Sequence, residues 1–255
     1  MYEIEGVLYM ELKINYIRAL TNLYGHVEPA KVCEIYNQQN DEMKDPNEFE
    51  VFLKELKEVI ENRFVYIKED KFLDEVYYLS RDKYEALCAK QDGKPHYVPE
   101  KEELLNYVNP LYWEKPLVFE ELEEYLLNQL FPEDEVTGRT LANEILTYMI
   151  EDKFDATLQL LHHYEVVFDE DKAVDELLNI LQRLNNNTRM RVHNAFTPIE
   201  ISQLTGESVY ILPDKLLEDD NDCHCGSKKK YFDCHKEADS KIRRLSEYRK
   251  EMKEV

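Results

Sequence analysis

The chain has 255 residues, 43% of them apolar, which is enough for one large domain or two modest ones with a real core. With 54 Asp/Glu against 32 Lys/Arg it carries a net charge of −22, which disfavours nonspecific binding of the body to nucleic acid or an anionic membrane. No apolar run approaches the roughly 20 residues needed to cross a bilayer, and no basic-then-apolar leader opens the chain, so a cytoplasmic protein without membrane insertion is expected.

Leu12, Tyr16, Leu20 and Leu23 recur at helical spacing and predict a long first helix that ends near Gly25. Gly25-His26-Val27 reads as a short extended piece, and Pro29 opens a second helix carrying Val32, Cys33 and Tyr36. Asp45-Pro46-Asn47-Glu48 is a helix-start signal for a third helix, Asp45 to Asn62, with Phe49, Phe52, Leu53, Leu56, Val59 and Ile60 on one face. Arg63 to Lys68 and Phe72 to Tyr78 are β-prone runs around Glu69-Asp70 and predict a hairpin, although its turn contains no glycine.

The order helix, short strand, helix, helix, hairpin resembles a winged-helix domain over residues 1–80. Winged helices often read DNA through the third helix. Here that helix holds six acids and two lysines, and a net charge of −4 repels phosphate, so DNA is disfavoured and a protein-contact role is expected for the lobe.

Residues 81–212 read as a helical middle domain. Its stripes are Phe119, Leu122, Leu126 and Leu130; Leu141, Ile145 and Met149; Phe154, Leu158 and Leu161; and Val174, Leu177, Leu178, Leu181 and Leu184. Short links such as Phe131-Pro132-Glu133-Asp134 favour antiparallel packing. His162-His163 follows an apolar stripe and reads as a packed pair. Asn185-Asn186-Asn187-Thr188-Arg189 is a polar block suited to finishing a helix, with a binding role for Asn187 and Arg189 as the alternative. Thr197-Pro198-Ile199-Glu200 is a capping box. No catalytic motif with a Gly-rich phosphate loop, G-x-S-x-G or H-E-x-x-H is present, so an enzyme is not expected.

Residues 213–222 form an acidic linker. Residues 223–255 then carry ten Lys/Arg against six Asp/Glu, a balance of +4, which leaves −26 on the first 222. Three of the five cysteines fall in Cys223-His224-Cys225-Gly226-Ser227 and Asp233-Cys234-His235, giving C-x-C-x8-C-H. Cys223, Cys225, Cys234 and His235 are four soft donors of the kind a tetrahedral Zn²⁺ takes, and four protein ligands leave no open position for hydrolysis. His224 is a fifth potential donor. Gly226 permits a tight turn, and Lys228, Lys229 and Lys230 offset the −1 of three thiolates plus zinc. Cys33 and Cys88 read as small residues packed in helices.

Cys223, Cys225, Gly226, Ser227, Lys229, Lys230, Tyr231, Cys234 and His235 together resemble the SEC-C motif, known from the C-terminal end of the SecA preprotein-translocation ATPase; the rest of the chain is not similar to that ATPase. The departures are His224 for the usual Pro, Lys228 for the usual Gly, and a Cys-His closing pair. The resemblance implies a structural zinc module that docks on a protein, the ribosome or a SecB-like chaperone. The expected fold is therefore mainly α: a winged-helix-like α+β N-terminal lobe, a helical middle and a small C-terminal zinc-binding SEC-C module. The expected function is a non-enzymatic adaptor, with a transcriptional or mobile-element regulator as the alternative.

Overall fold

A computed structural model describes residues 2–40, 60–61, 63–168, 171–206, 220, 229–234 and 236, with the backbone alone for 2–9, 171 and 172. Among the described residues the chain is mainly helical with one small three-stranded sheet. It forms two compact units, Met1–Glu114 with Arg191–Ala195, and Lys115–Met190 with Phe196–Val255.

In the first unit, α1 (Tyr2–Tyr24) is the central element. Tyr16, Ile17, Ala19, Leu20, Leu23 and Tyr24 are all buried, so more than one face of the helix lies in the core. Around it pack Val32, Ile35 and Tyr36 of α2 (Pro29–Gln39), Ile60, and Leu104 of α5 (Lys101–Asn106) with Tyr107. Apart from Ile60 and Glu61, the expected third helix lies outside the described residues.

Gly25 ends α1 with a φ of 84°. A Cβ there would lie 2.7 Å from Tyr77 Cε2 and 2.8 Å from Leu87 Cδ2, so the missing side chain and the left-handed backbone are both required. The chain then enters β1 (His26–Val27), which pairs antiparallel with β3 (Lys71–Asp74); β3 also pairs antiparallel with β2 (Val65–Lys68), giving the order β1-β3-β2. The hairpin turn has positive φ at both Glu69 and Asp70, 50° and 56°. That is what a two-residue turn with the favourable twist demands, even without glycine.

The second half of the hairpin is shorter than its β-prone sequence suggests. The strand stops at Asp74, and Glu75–Leu79 is a short helix, α3, where Val76 to Tyr78 were expected to be strand. Asp74 is the cause: its carboxylate accepts from Val76 N at 2.9 Å and starts the helix. Ser80 then caps α4 (Arg81–Gln91).

In the second unit, α6 (Leu117–Tyr125) runs into a π-helical turn, Leu126–Leu130, where Phe131 N bonds Leu126 O. The wider turn rotates the stripe, so Leu126 is buried and Leu130 only half so. Gly138 on α7 (Glu135–Ile150) sits against this turn, where a Cβ would be 2.9 Å from Leu127 Cδ2. Leu141, Ile145 and Met149 are buried as their spacing predicts. On α8 (Phe154–His163) the buried residues are Thr157, Leu160 and Leu161, and Leu158 is exposed, so the inward face is rotated from the expected stripe. α9 (Asp171–Asn187) buries Leu177, Ile180, Leu181 and Leu184, and Arg183 pairs with both carboxylate oxygens of Glu121 on α6. α10 (Pro198–Thr205) begins with the capping box expected from sequence, Thr197 and Glu200 each bonding the other's backbone N–H.

Candidate functional site

Of the expected zinc ligands, Cys223, Cys225 and His235 lie outside the described residues, as does His224. Cys234 ends a four-residue helix, α11 (Tyr231–Cys234), as a half-buried thiol outside any disulfide. A bond from Asp233 N to Lys230 O leads into that helix. Tyr231 is buried, whereas Phe232 is exposed with the Lys236 ammonium 4.9 Å from its ring centre. Among the described residues no group of three or more His, Cys, Asp or Glu converges. The donor set itself, three thiols and an imidazole, has the softness and number that zinc takes, and Cys234 is a half-buried residue.

The first unit holds a buried polar network that the sequence did not announce. The C-terminal carbonyls of α1 have no partner within the helix and here lie in the core. Three later residues supply donors. Arg191 Nε and Nη2 donate to Asn22 O at 3.2 and 3.0 Å; Gln91 Nε2 donates to Tyr24 O and Arg191 O, both at 2.8 Å; and Gly25 N donates to Thr21 O at 2.8 Å. Arg191 also reaches Asp74 Oδ2 at 3.2 Å and lies over the Tyr77 and Trp113 rings, 5.6 and 5.0 Å from their centres. Asn194 Nδ2 bonds Gln91 O and Lys94 O, while Lys94 Nζ bonds Val192 O and meets His193 Nδ1 at 2.9 Å. The polar block singled out in the sequence, Asn185 to Arg189, stops just short of Arg191 and Asn194.

Asn187 and Arg189 take structural roles. Asn187 Nδ2 donates to Arg183 O, Thr188 Oγ1 to Leu184 O, and Arg189 Nη1 to Glu200 Oε2 in the capping box. The expected packing of His162 and His163 is not what the structure has. Both are exposed in the last turn of α8, where a basic group suits the helix dipole, and the inward positions go to Leu160 and Leu161.

A second cluster surrounds His26. Its Nε2 lies 3.3 Å from Cys88 Sγ, and its ring stands edge-on to Tyr84 at 5.2 Å. Tyr84 and Cys88 are four residues apart on α4 and so share a face. Lys71, on the neighbouring strand, pairs with Glu28 at 3.2 Å. Burial, with Lys71 nearby, pushes the His26 pKa down from 6.5 to about 4, so the ring is neutral near pH 7. Its Nδ1 is buried with no hydrogen-bond partner. Cys33, by contrast, is simply packed in the core, as its sequence position suggests.

No described helix is long and apolar enough to cross a membrane. No protein-family model, no curated protein and no solved structure matches the chain.

Proposed function

We propose that the protein is a non-enzymatic adaptor whose C-terminal segment binds one Zn²⁺ through Cys223, Cys225, Cys234 and His235 and docks on a protein or ribosomal partner in a reducing cytoplasm. The observation that carries the reading is the C-x-C-x8-C-H spacing on a segment of balance +4, attached to 222 residues of balance −26. The half-open thiol of Cys234 at the end of α11 and the buried Tyr231 beside it are compatible with a small metal-dependent fold. Bound zinc supplies a structural crosslink, with four protein ligands and no place for a reacting water. Excess lysine on the segment gives it affinity for an anionic surface, such as ribosomal RNA or an acidic face of a translation or export chaperone. Cosedimentation with ribosomes tests the docking: the full chain pellets, and a chain ending at Asp222 does not. Equal pelleting of the two rejects it.

A second reading, a regulator built on a winged-helix-like lobe, is favoured by one observation. β1 lies between α1 and α2 and pairs with the far strand of the hairpin, in the order β1-β3-β2. The net −4 of residues 45–62 argues that such a lobe contacts protein and not phosphate. Retardation of duplex DNA by the full chain at low salt is the result that moves the balance to this reading.

A further inference from the structure

We propose that the β2–α3 side of the first unit is a docking surface for a Lys/Arg-bearing segment of a partner protein, with Phe64 as its apolar anchor and the Tyr66–Tyr78 pair beside Glu75 as the seat of a cationic side chain. The surface lies wholly in the first unit and does not involve the zinc segment, so it gives the proposed adaptor a second, separate contact.

Phe64 is the outlier that points to it. Its φ is 63°, in the left-handed region that a bulky side chain rarely enters, and the residue is 67% exposed. Its N–H bonds Glu61 O at 3.2 Å in the turn that leads into β2. Glycine makes such a turn without strain, and a ring left in water adds nothing to the core. Neither the turn nor the packing accounts for phenylalanine here, and backbone strain of this kind is characteristic of positions kept for contact.

Neighbouring side chains extend the surface. β2 is an edge strand, paired among the described residues with β3 alone. Tyr78 of α3 reaches across to stack on Tyr66 of β2, with ring centres 4.4 Å apart and planes 13° from parallel. Tyr77 turns into the core, while Val76 and Leu79, three residues apart on α3, share its outer face and are 42% and 73% exposed. Exposed apolar and aromatic groups gathered in this way mark an interaction surface, where single scattered ones do not.

Charge selects the occupant. Glu69, Asp70 and Glu75 are exposed around the patch, and Glu75 Oε1 accepts the Tyr66 hydroxyl at 3.3 Å. The nearby cations Arg63, Lys71 and Arg81 are held by Glu11, Glu28 and Glu85, which leaves Lys68 against three carboxylates among the described residues of β2, its turn and α3. The first 222 residues carry −26, which disfavours a nucleic acid, an anionic membrane or a second copy of the chain and favours a cationic segment. A lysine or arginine meets each part of the site: its head suits a tyrosine face beside a carboxylate, and its methylenes suit the exposed Val76 and Leu79.

The test is fluorescence anisotropy of a short labelled peptide of alternating arginine and leucine against the full chain, with the glutamate–leucine counterpart as control. The basic peptide should bind with a Kd below about 100 μM in about 0.15 M salt, and the acidic one at least about tenfold more weakly. Phe64→Gly, Tyr78→Ala and Leu79→Ser keep the net charge, and each should weaken binding of the basic peptide about fivefold or more. Phe64→Gly should at the same time leave the melting temperature unchanged or raise it by up to about 4 °C, since it relieves the backbone. Loss of binding without loss of stability is a split that a purely structural residue does not show. All three variants should still pellet with ribosomes as the parent chain does, so failure of this surface and failure of the zinc-segment docking are separate results. Equal affinity for the two peptides, no saturable binding of the basic one, unchanged affinity in any of the three variants, or a lower melting temperature for Phe64→Gly overturns the proposal.

Discussion

Arg191 Nη2 lies 3.2 Å from Asp74 Oδ2 across 117 residues of sequence, and the two side chains are 8% and 18% exposed. The pair ties the end of β3 to the end of α1, because Asp74 also starts α3 and Arg191 also caps the Asn22 carbonyl. Arg191→Met is therefore expected to take the charge partner from Asp74 Oδ2 and the donor from the Asn22 carbonyl inside the unit. The expected loss is about 3 kcal/mol, read by urea denaturation. Arg191→Lys should recover little of it, since an ammonium cannot serve both acceptors while stacking on Tyr77 and Trp113. A loss below about 1 kcal/mol for Arg191→Met is the value for a surface pair and contradicts the assignment.

Gly25 and Gly93 offer an internal comparison. Both have positive φ, 84° and 71°, but a Cβ at Gly93 meets nothing within 4 Å. Gly93→Ala should cost about 1 kcal/mol, the backbone term alone. Gly25→Ala adds clashes with Tyr77 and Leu87 and should cost about 2–4 kcal/mol. Equal losses in the two variants mean that the turn does not set the packing of α4.

The hairpin turn holds two L-residues in a left-handed conformation. Replacing Glu69-Asp70 by Asn-Gly should relieve that strain and raise stability by about 1 kcal/mol in thermal melts. No gain, or a loss, indicates that the Glu69 and Asp70 side chains serve another purpose.

Stability should fall in mild acid before most carboxylates titrate. The His26 pKa is lowered from 6.5 in an unfolded chain to about 4 in the fold, first by burial and then by Lys71. Between those values the unfolded state binds the extra proton, so stability is full above about pH 6.5 and declines as pH falls toward about 4. After allowance for partial exposure the decline is about 2–3 kcal/mol. His96, lowered mainly by burial, acts in the same direction; Glu11, whose carboxyl is held low by its hydrogen bond with Arg63, adds to the loss at still lower pH. Denaturant midpoints between about pH 4 and 7 measure this, and a folded His26→Gln protein should show a shallower slope. An identical slope removes His26 as the cause.

Cys234→Ser is expected to release close to one zinc per chain and to leave most of the helical circular dichroism in place, because the other ligands and the helical units are separate in sequence. Elemental analysis and the 222 nm signal, which reports helix, are the paired readouts. Loss of most helicity in this variant means that the segment is part of a core.

Local signals were legible where the sequence alone satisfies them. The end of α1 at Gly25, the start of α2 at Pro29 and the capping box at Thr197 depend on residues a few positions apart. The reading failed at Val76 to Tyr78, whose β-prone side chains were overruled by the cap at Asp74, and at His162-His163, whose outward direction depends on which face of α8 meets its neighbours. The four proposed zinc donors were singled out by their spacing alone, which needs no coordinates. The His26–Cys88 pair was missed because 62 residues separate its members, and neither has a local pattern that marks it.

The amino-acid order determined the helical periodicities, the acidic body with its basic end, and a donor set suited to zinc, because each is a property of neighbouring residues. The tertiary structure decided that Arg191 and Gln91 close the buried end of α1, and that a histidine on a two-residue strand faces a thiol on α4. Buried carbonyls must find donors wherever the chain can bring them, and long-range partners of this kind leave no trace in local spacing.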